Sequence, residues 1–180
     1  MNFQELESQY KNTEFVSLFK ELINLLHPEV YMELGIRKGY TFNQIAPLVK
    51  RAIGIDIEIR DSIIKLPNVE LLQMTTDEAV KIWETPIDFL FIDACHEKNQ
   101  VLKDFENFSK FVKEGTGIIA MHDTHPICKE LLVEDRCYNA WEAALYIKDH
   151  MRNEFEFFTI PGPFAGLTLL RKAKKHLSWD

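Results

Sequence analysis

Short apolar runs bounded by polar or glycine-containing turns alternate along this chain with segments whose hydrophobic residues recur at helical spacing. The first helical segment carries Phe15, Leu18, Phe19, Leu22, Ile23 and Leu26 on one stripe, and Pro28 stops it before the first strand. Val30 to Leu34, Ala52 to Ile55, Val69 to Leu72, Phe89 to Ile92 and Gly117 to Met121 read as strands. Between them, Thr41 to Val49 reads as a helix that Pro47 ends or kinks, and Asp61 to Ile64 as a short helical turn. Thr76 to Trp83 reads as a helix capped by Thr75 or Thr76. Val101, Phe105, Phe108 and Val112 follow at steps of four, three and four, which makes one buried helical stripe. A long loop precedes a helix from about Asn139 to His150, in which Trp141 and Leu145 are expected in the core. Strands at Phe155 to Ile160 and Leu167 to Leu170, joined through Pro161-Gly162-Pro163, close the chain.

Strands that are apolar on both faces belong to sheets covered on both sides. The alternation therefore predicts an α/β fold with a seven-stranded, mostly parallel sheet and helices on each face. The last two strands are joined by a loop too short for a helical crossover, so they are expected to pair antiparallel. No repeat, low-complexity tract or Gly/Ser linker divides the chain. This predicts one domain over residues 1–180 with an N-terminal helical extension over about 1–27.

Composition narrows the classes of partner. The 21 basic residues against 28 acidic ones give a net charge of −7, so the chain lacks the basic footprint of a nucleic-acid binder, and no nucleic acid is expected. Lys172, Lys174 and Lys175 read as a solvated tail. The polar, acidic start from Met1 to Glu5 does not resemble a signal peptide, and no apolar run approaches the ~20 residues of a membrane span. Cys95, Cys128 and Cys137 are odd in number and lack a CxxC spacing, which suits free thiols. A soluble, cytoplasmic protein without a membrane partner is expected.

Sheets of this kind bind ligands at the carboxyl ends of their strands, where the polar candidates of this chain fall. Glu33-Leu34-Gly35-Ile36-Arg37-Lys38-Gly39 is a strand end, a carboxylate and two glycines four apart, suited to a sharp strand-to-helix turn that lets a ligand approach bare backbone. Glu33 either meets a cationic part of a ligand or caps local N–H groups. Asp56 ends the next strand 17 positions after Gly39, near the spacing at which a carboxylate holds ribose hydroxyls; a solvated turn residue is the alternative. Asp77 could accept from an adenine amine or simply stabilise its helix N-terminus. Asp93 ends the fourth strand, and His122 with Asp123 ends the fifth. If those strands are neighbours, about 4.8 Å apart, the three side chains converge. They could then hold Mg²⁺ or another divalent ion, or leave His122 as a general base. His96 sits on the same loop as Asp93 and is a candidate to touch substrate or metal, with a loop-surface histidine as the alternative. His125 is read as shaping the turn before Pro126, and Cys95 has no nucleophile motif.

With these residues in place, the chain resembles the class I S-adenosylmethionine-dependent methyltransferases, and most of all the branch called methyltransferase family 24, which includes small natural-product and sugar methyltransferases. The resemblance runs from about Val30 to Arg171. It is carried by Glu33 to Gly39, by Gly54-Ile55-Asp56, and by Ile92-Asp93-Ala94-Cys95-His96 with Val101 and Asp104. Glu114 to Ile119 with His122-Asp123, and the closing Phe157 to Gly162, Gly166 to Thr168 and Arg171-Lys172, complete the ordered set. The resemblance implies a Rossmann-like sheet ordered 3-2-1-4-5-7-6 with the seventh strand antiparallel. It implies that Glu33, Gly35, Gly39 and Asp56 hold S-adenosylmethionine; Ile36, Ile57, Asp77 and Asp93 are the further candidates for that site. Asp93, His96 and His122 are the catalytic candidates, and Asp93, His122 and Asp123 the candidate ligands of a divalent cation. His122 stands where several relatives carry a carboxylate.

The function expected is methyl transfer to an oxygen or nitrogen of a small-molecule or sugar-like acceptor. A non-catalytic nucleoside-binding module and an NAD-dependent oxidoreductase are the alternatives, the latter weakened by Arg37 at the middle glycine position. The N-terminal helix and the loop from Thr124 to Tyr138 are left to cover the acceptor, with a second copy in a homo-oligomer as a further source of cover.

Overall fold

Tyr31, Ala52, Phe89 and Ala120 point to one face of a sheet and Met32, Ile53, Leu90 and Ile119 to the other, since successive strand residues alternate sides. In the computed structural model, which describes residues 15–162 and 164–172, five strands run parallel. They are β1 (Val30–Leu34), β2 (Arg51–Asp56), β3 (Val69–Gln73), β4 (Phe89–Ile92) and β5 (Ile118–His122). β6 (Phe155–Ile160) and β7 (Leu167–Lys172) form a closing antiparallel hairpin, and β7 also pairs antiparallel with β5. The order is β3-β2-β1-β4-β5-β7-β6, as expected. Residues 1–14, Pro163, Lys174 and Lys175, on which some expectations rested, lie outside the described residues.

Helix α1 (Val16–Leu26) and the short α2 (Phe42–Ile45) cover the first face. Phe19 sets its ring edge-on against Phe89 and Phe91, with centroids 5.1 and 4.9 Å apart. On the other face lie α3 (Thr76–Ile82), α4 (Lys98–Ser109) and α5 (Ala140–His150). The α4 stripe behaves as its spacing predicts, with Val101, Phe105 and Phe108 buried and Val112 buried just beyond the helix end. α3 starts with a reciprocal cap: the Glu78 amide donates to Thr75 Oγ1 and the Thr75 amide to Glu78 Oε2.

The helix over 41–49 is interrupted at Pro47 as expected, α2 giving way to a 3₁₀ turn over Ala46–Leu48. Two expectations are corrected. Residues 61–64 form a turn and bend rather than a helix. In α5, Trp141 is half-buried and Leu145 is 49 % exposed, while Ala140, Ala143, Ala144 and Ile147 form the buried face. Small side chains let α5 approach α4 and the sheet closely, so the bulky pair is turned outward.

The register prepares the site. Leu34 pairs with Ile55 and with Ile92, and Ile92 pairs with Met121. One step further along these strands sets Gly35, Asp56, Asp93 and His122 side by side at the carboxyl edge.

Asp104 on α4 is fully buried and ties this helix to α3. Its Oδ1 accepts from Thr76 Oγ1 at 2.6 Å and from Gln100 Nε2 at 2.9 Å, while Oδ2 has no partner. Burial pushes its pKa above the usual carboxylate value, against the two hydrogen bonds that pull it down. A raised native pKa means that the folded state holds this proton more tightly than the unfolded chain. The associated stability is present in acid and is lost as pH rises through the native value. Asp104→Asn, which imitates the protonated acid, is therefore expected to gain stability relative to the native chain as pH rises, as measured by urea unfolding at a series of pH values.

Candidate active site

Gly35 opens the turn at the end of β1 with φ +85°, and a Cβ there would lie 2.3 Å from the Asp93 carbonyl oxygen. Only glycine admits both the dihedral and the approach. The Gly39 amide closes the turn onto the Ile36 carbonyl at 2.7 Å. Arg37 between them is also left-handed, at φ +46°, and its amide donates to Asp56 Oδ2 at 2.7 Å. The Glu58 amide donates to Asp56 Oδ1 at 3.1 Å, so backbone on both sides holds this carboxylate at the cavity wall.

Glu33 is buried one residue before the end of β1, with Tyr31 Oη donating to its Oε2 at 2.6 Å. Burial pushes its pKa well above the carboxylate range; the Tyr31 bond opposes this and the nearby Asp93 charge adds to it. Sequence reasoning took Tyr31 as plain core. The available signal was its position two residues before Glu33, which places both side chains on one face of the strand.

Two carboxylates and two imidazoles meet at the ends of β4 and β5. His96 Nε2 lies 3.1 Å from Asp123 Oδ2 and 3.8 Å from Asp93 Oδ1, and its Nδ1 contacts the Arg136 carbonyl. His122 Nδ1 lies 3.3 Å from both Asp93 Oδ1 and Asp123 Oδ1. Its ring stands between Phe15 and Phe91, edge-on to each, with centroids 5.8 and 6.1 Å away. Burial disfavours every charge here, yet mutual attraction outweighs it. Both carboxylates are held below their usual range, His96 is raised to about 8, and His122 is raised well above the ordinary imidazole value. Asp123 adopts the left-handed φ of +59°, and its Oδ1 accepts from the Cys137 thiol at 3.0 Å.

The same cluster fits a divalent cation. Asp93, His122 and Asp123 each offer a ligand atom, all within 4.8 Å of one another. Although His122 Nδ1 is close to both carboxylates, it is buried and makes no hydrogen bond to either. An orphaned imidazole nitrogen beside two carboxylate oxygens is a mixed donor set that suits a first-row divalent metal.

All of this borders one cavity of about 920 Å³. Glu33, Gly35, Ile36, Asp56, Ile57 and Asp77 line it together with Asp93, His96, His122 and Asp123. Gly39 shapes the turn without lining the cavity, and His125 stays outside, its amide bonded to the Ala165 carbonyl. Asp77 Oδ2 accepts from Lys103 Nζ at 2.5 Å. The N-terminal helix and the loop over 124–138 were expected as cover, and Phe15, Phe19, Arg136 and Cys137 are among the residues through which they reach the cavity, together with Gln100 of α4. No signal in the sequence singled out these individual side chains.

A model of the methyltransferase domain matches residues 32–124, just over half of the chain and the whole span from β1 to the Asp123 turn. The chain belongs to this methyltransferase family, of the class I S-adenosylmethionine-dependent type. Solved structures share the fold at low identity. The Podospora anserina methyltransferase PaMTH1, bound to S-adenosylhomocysteine, is 13 % identical with a TM-score of 0.69 over 95 % of this chain and 86 % of its own. The O-methyltransferase TomG of Streptomyces achromogenes, involved in tomaymycin synthesis and bound to S-adenosylmethionine, is 16 % identical with a TM-score of 0.67 over 97 % and 92 %. A Bacillus cereus O-methyltransferase bound to S-adenosylhomocysteine is 15 % identical with a TM-score of 0.66 over 88 % and 80 %.

Within this methyltransferase the Gly35 turn leaves no slack. Gly35→Ala is expected to destabilise the fold by at least about 1–3 kcal/mol from the strained dihedral alone, with the carbonyl clash adding to it, as read by urea unfolding.

Proposed function

We propose that this protein transfers the sulfonium methyl group of S-adenosylmethionine to a hydroxyl oxygen of a small-molecule acceptor. The observation that carries the reading is the meeting, in one cavity, of the Gly35 turn and Asp56 with the His96–Asp123 and His122–Asp93 pairs. Similarity to the O-methyltransferases from Streptomyces achromogenes and Bacillus cereus favours oxygen over nitrogen. Among the described residues no helix is long and apolar enough to cross a membrane, and the three free thiols suit a reducing, cytoplasmic setting.

Asp56 accepts the ribose hydroxyls, and the turn backbone around Gly35 and Ile36 lies along the donor. Ile57 and Asp77 border the adenine end. Glu33 and Asp93 face the ammonium and sulfonium groups of the methionine portion, where a second carboxylate near Glu33 costs least once a cation separates them. His96 serves as the base. Its Nδ1 is held by the Arg136 carbonyl and its Nε2 lies 3.1 Å from Asp123 Oδ2; once deprotonated, Nε2 takes the proton of the acceptor hydroxyl, and Asp123 stabilises the imidazolium that forms. The acceptor oxygen attacks the methyl carbon, the carbon–sulfur bond breaks, and its electron pair remains on sulfur as the thioether. Asp93, His122 and Asp123 would hold a divalent cation, which supplies Lewis-acid activation of the acceptor hydroxyl when bound. Alignment in the cavity can contribute about 7–11 kcal/mol of barrier lowering.

Calorimetry is expected to show saturable binding of S-adenosylhomocysteine and none of NAD. Asp56→Ala should weaken that binding about 10–100-fold, the worth of a hydrogen-bonded charge. His96→Ala should leave it intact while cutting methyl transfer, screened across phenols, sugars and amino alcohols, by about 10²–10⁴-fold. Binding of NAD in place of the thioether would overturn the reading. Mn²⁺ titration followed by water-proton relaxation should show binding that Asp93→Ala removes.

A further inference from the structure

The loop between β5 and α5 meets the site through two adjacent residues. Arg136 offers its carbonyl to His96 Nδ1, and Cys137 donates its thiol to Asp123 Oδ1 at 3.0 Å. Within the cluster, His96 Nε2 lies 3.1 Å from Asp123 Oδ2 and 3.8 Å from Asp93 Oδ1, and Asp123 Oδ1 lies 3.3 Å from His122 Nδ1. Consecutive loop residues thus grip the imidazole from behind and the carboxylate from its other oxygen.

Cys137 is buried among Leu131, Phe164 and Ala165, a small apolar cluster separate from the two main cores. An alanine or valine would suit such surroundings, so packing alone does not call for a thiol. Asp123, in turn, is the residue most in need of a guide. It is buried, its backbone is left-handed, and its Oδ1 lies 3.3 Å from His122 Nδ1 without an aligned hydrogen bond. The thiol is a hydrogen-bond donor from outside the acid–base cluster, placed to set which oxygen faces which imidazole. A weak S–H donor suffices for this, since it selects between rotamers and need not neutralise the charge.

We propose that Cys137 is a positioning residue of the methyl-transfer site, its thiol fixing the rotamer of Asp123 and, through it, the orientation of His96. The proposal rests on the methyl-transfer reading for its purpose, but the contact itself can be tested without donor or acceptor. In the infrared difference spectrum between the native protein and Cys137→Ala, the S–H stretch is expected at lower frequency than that of an unbonded thiol. In Asp123→Asn, where the acceptor loses its charge, the band should move upward. In ¹⁵N NMR, Cys137→Ala should shift the His96 ring-nitrogen signals, and Cys137→Ser, which restores a donor, should return them toward the native positions. An unbonded S–H frequency in the native protein would overturn the proposal, and that reading needs no altered Asp123 to fold. Unchanged His96 signals in Cys137→Ala, or a serine variant no closer to native than alanine, would do the same. Calorimetry with S-adenosylhomocysteine on the same samples separates the two ideas: native protein that fails to bind it overturns the purpose, whereas the thiol band reports on the contact alone.

Discussion

The 2.9 Å hydrogen bond from the Asp93 amide to the Leu34 carbonyl holds the ends of the two central strands together, and the site is built on that junction. Its counterpart on the other side, from the Gly35 amide to the Ile55 carbonyl at 2.8 Å, brings in β2. Once these are made, Gly35, Asp56 and Asp93 have no freedom to be anywhere but in one row. The 2.3 Å that would separate a Cβ on Gly35 from the Asp93 carbonyl shows how completely the space is used. A turn loose enough to admit alanine would separate β1 from β4 and carry the adenosine-facing and acid–base halves of the cavity apart.

A cavity with so many carboxylates needs compensating charge. Burial raises the pKa of Glu33, a shift that the Tyr31 hydrogen bond opposes, whereas the charges of His96 and His122 hold those of Asp93 and Asp123 down. The two devices have different consequences. A cation placed beside Glu33 would favour its ionised form. The imidazole–carboxylate cluster sets two imidazoles against two carboxylates, and a divalent cation would leave its buried charge unchanged by displacing two protons, one for each positive charge it brings. That balance is what lets one set of side chains serve a proton transfer and also fit a divalent cation.

The sheet was readable because its strands are apolar on both faces, a pattern that leaves little room for another assignment. The closing hairpin followed from the length of its connection, and the α4 stripe from three large residues at helical steps. The α5 face was misjudged because bulk was taken as the mark of burial, whereas Ala140, Ala143 and Ala144 bury themselves by letting backbones approach. The same limit applies at the site. Glu33, Asp56, Asp93, His122 and Asp123 stand at strand ends, so position along a strand was enough to gather them. Arg136 and Cys137 come from an irregular loop, where nothing in the local pattern says which residue returns to the sheet.

That difference divides the cavity into two halves of unlike origin. The half bordered by Gly35, Asp56, Ile57 and Asp77 is dictated by the sheet and by turns at strand ends. The half bordered by Phe15, Phe19, Tyr138 and Phe164 is supplied by the N-terminal helix and the loops. His122 joins the two, since it ends a strand but has its ring set between Phe15 and Phe91. Replacing Phe15 would therefore act on this wall of the cavity and on the imidazole together. In a site of this form the methyl donor can stay constant while the acceptor varies with α1 and the loop before α5, and each variation must still leave His122 and Asp123 in register.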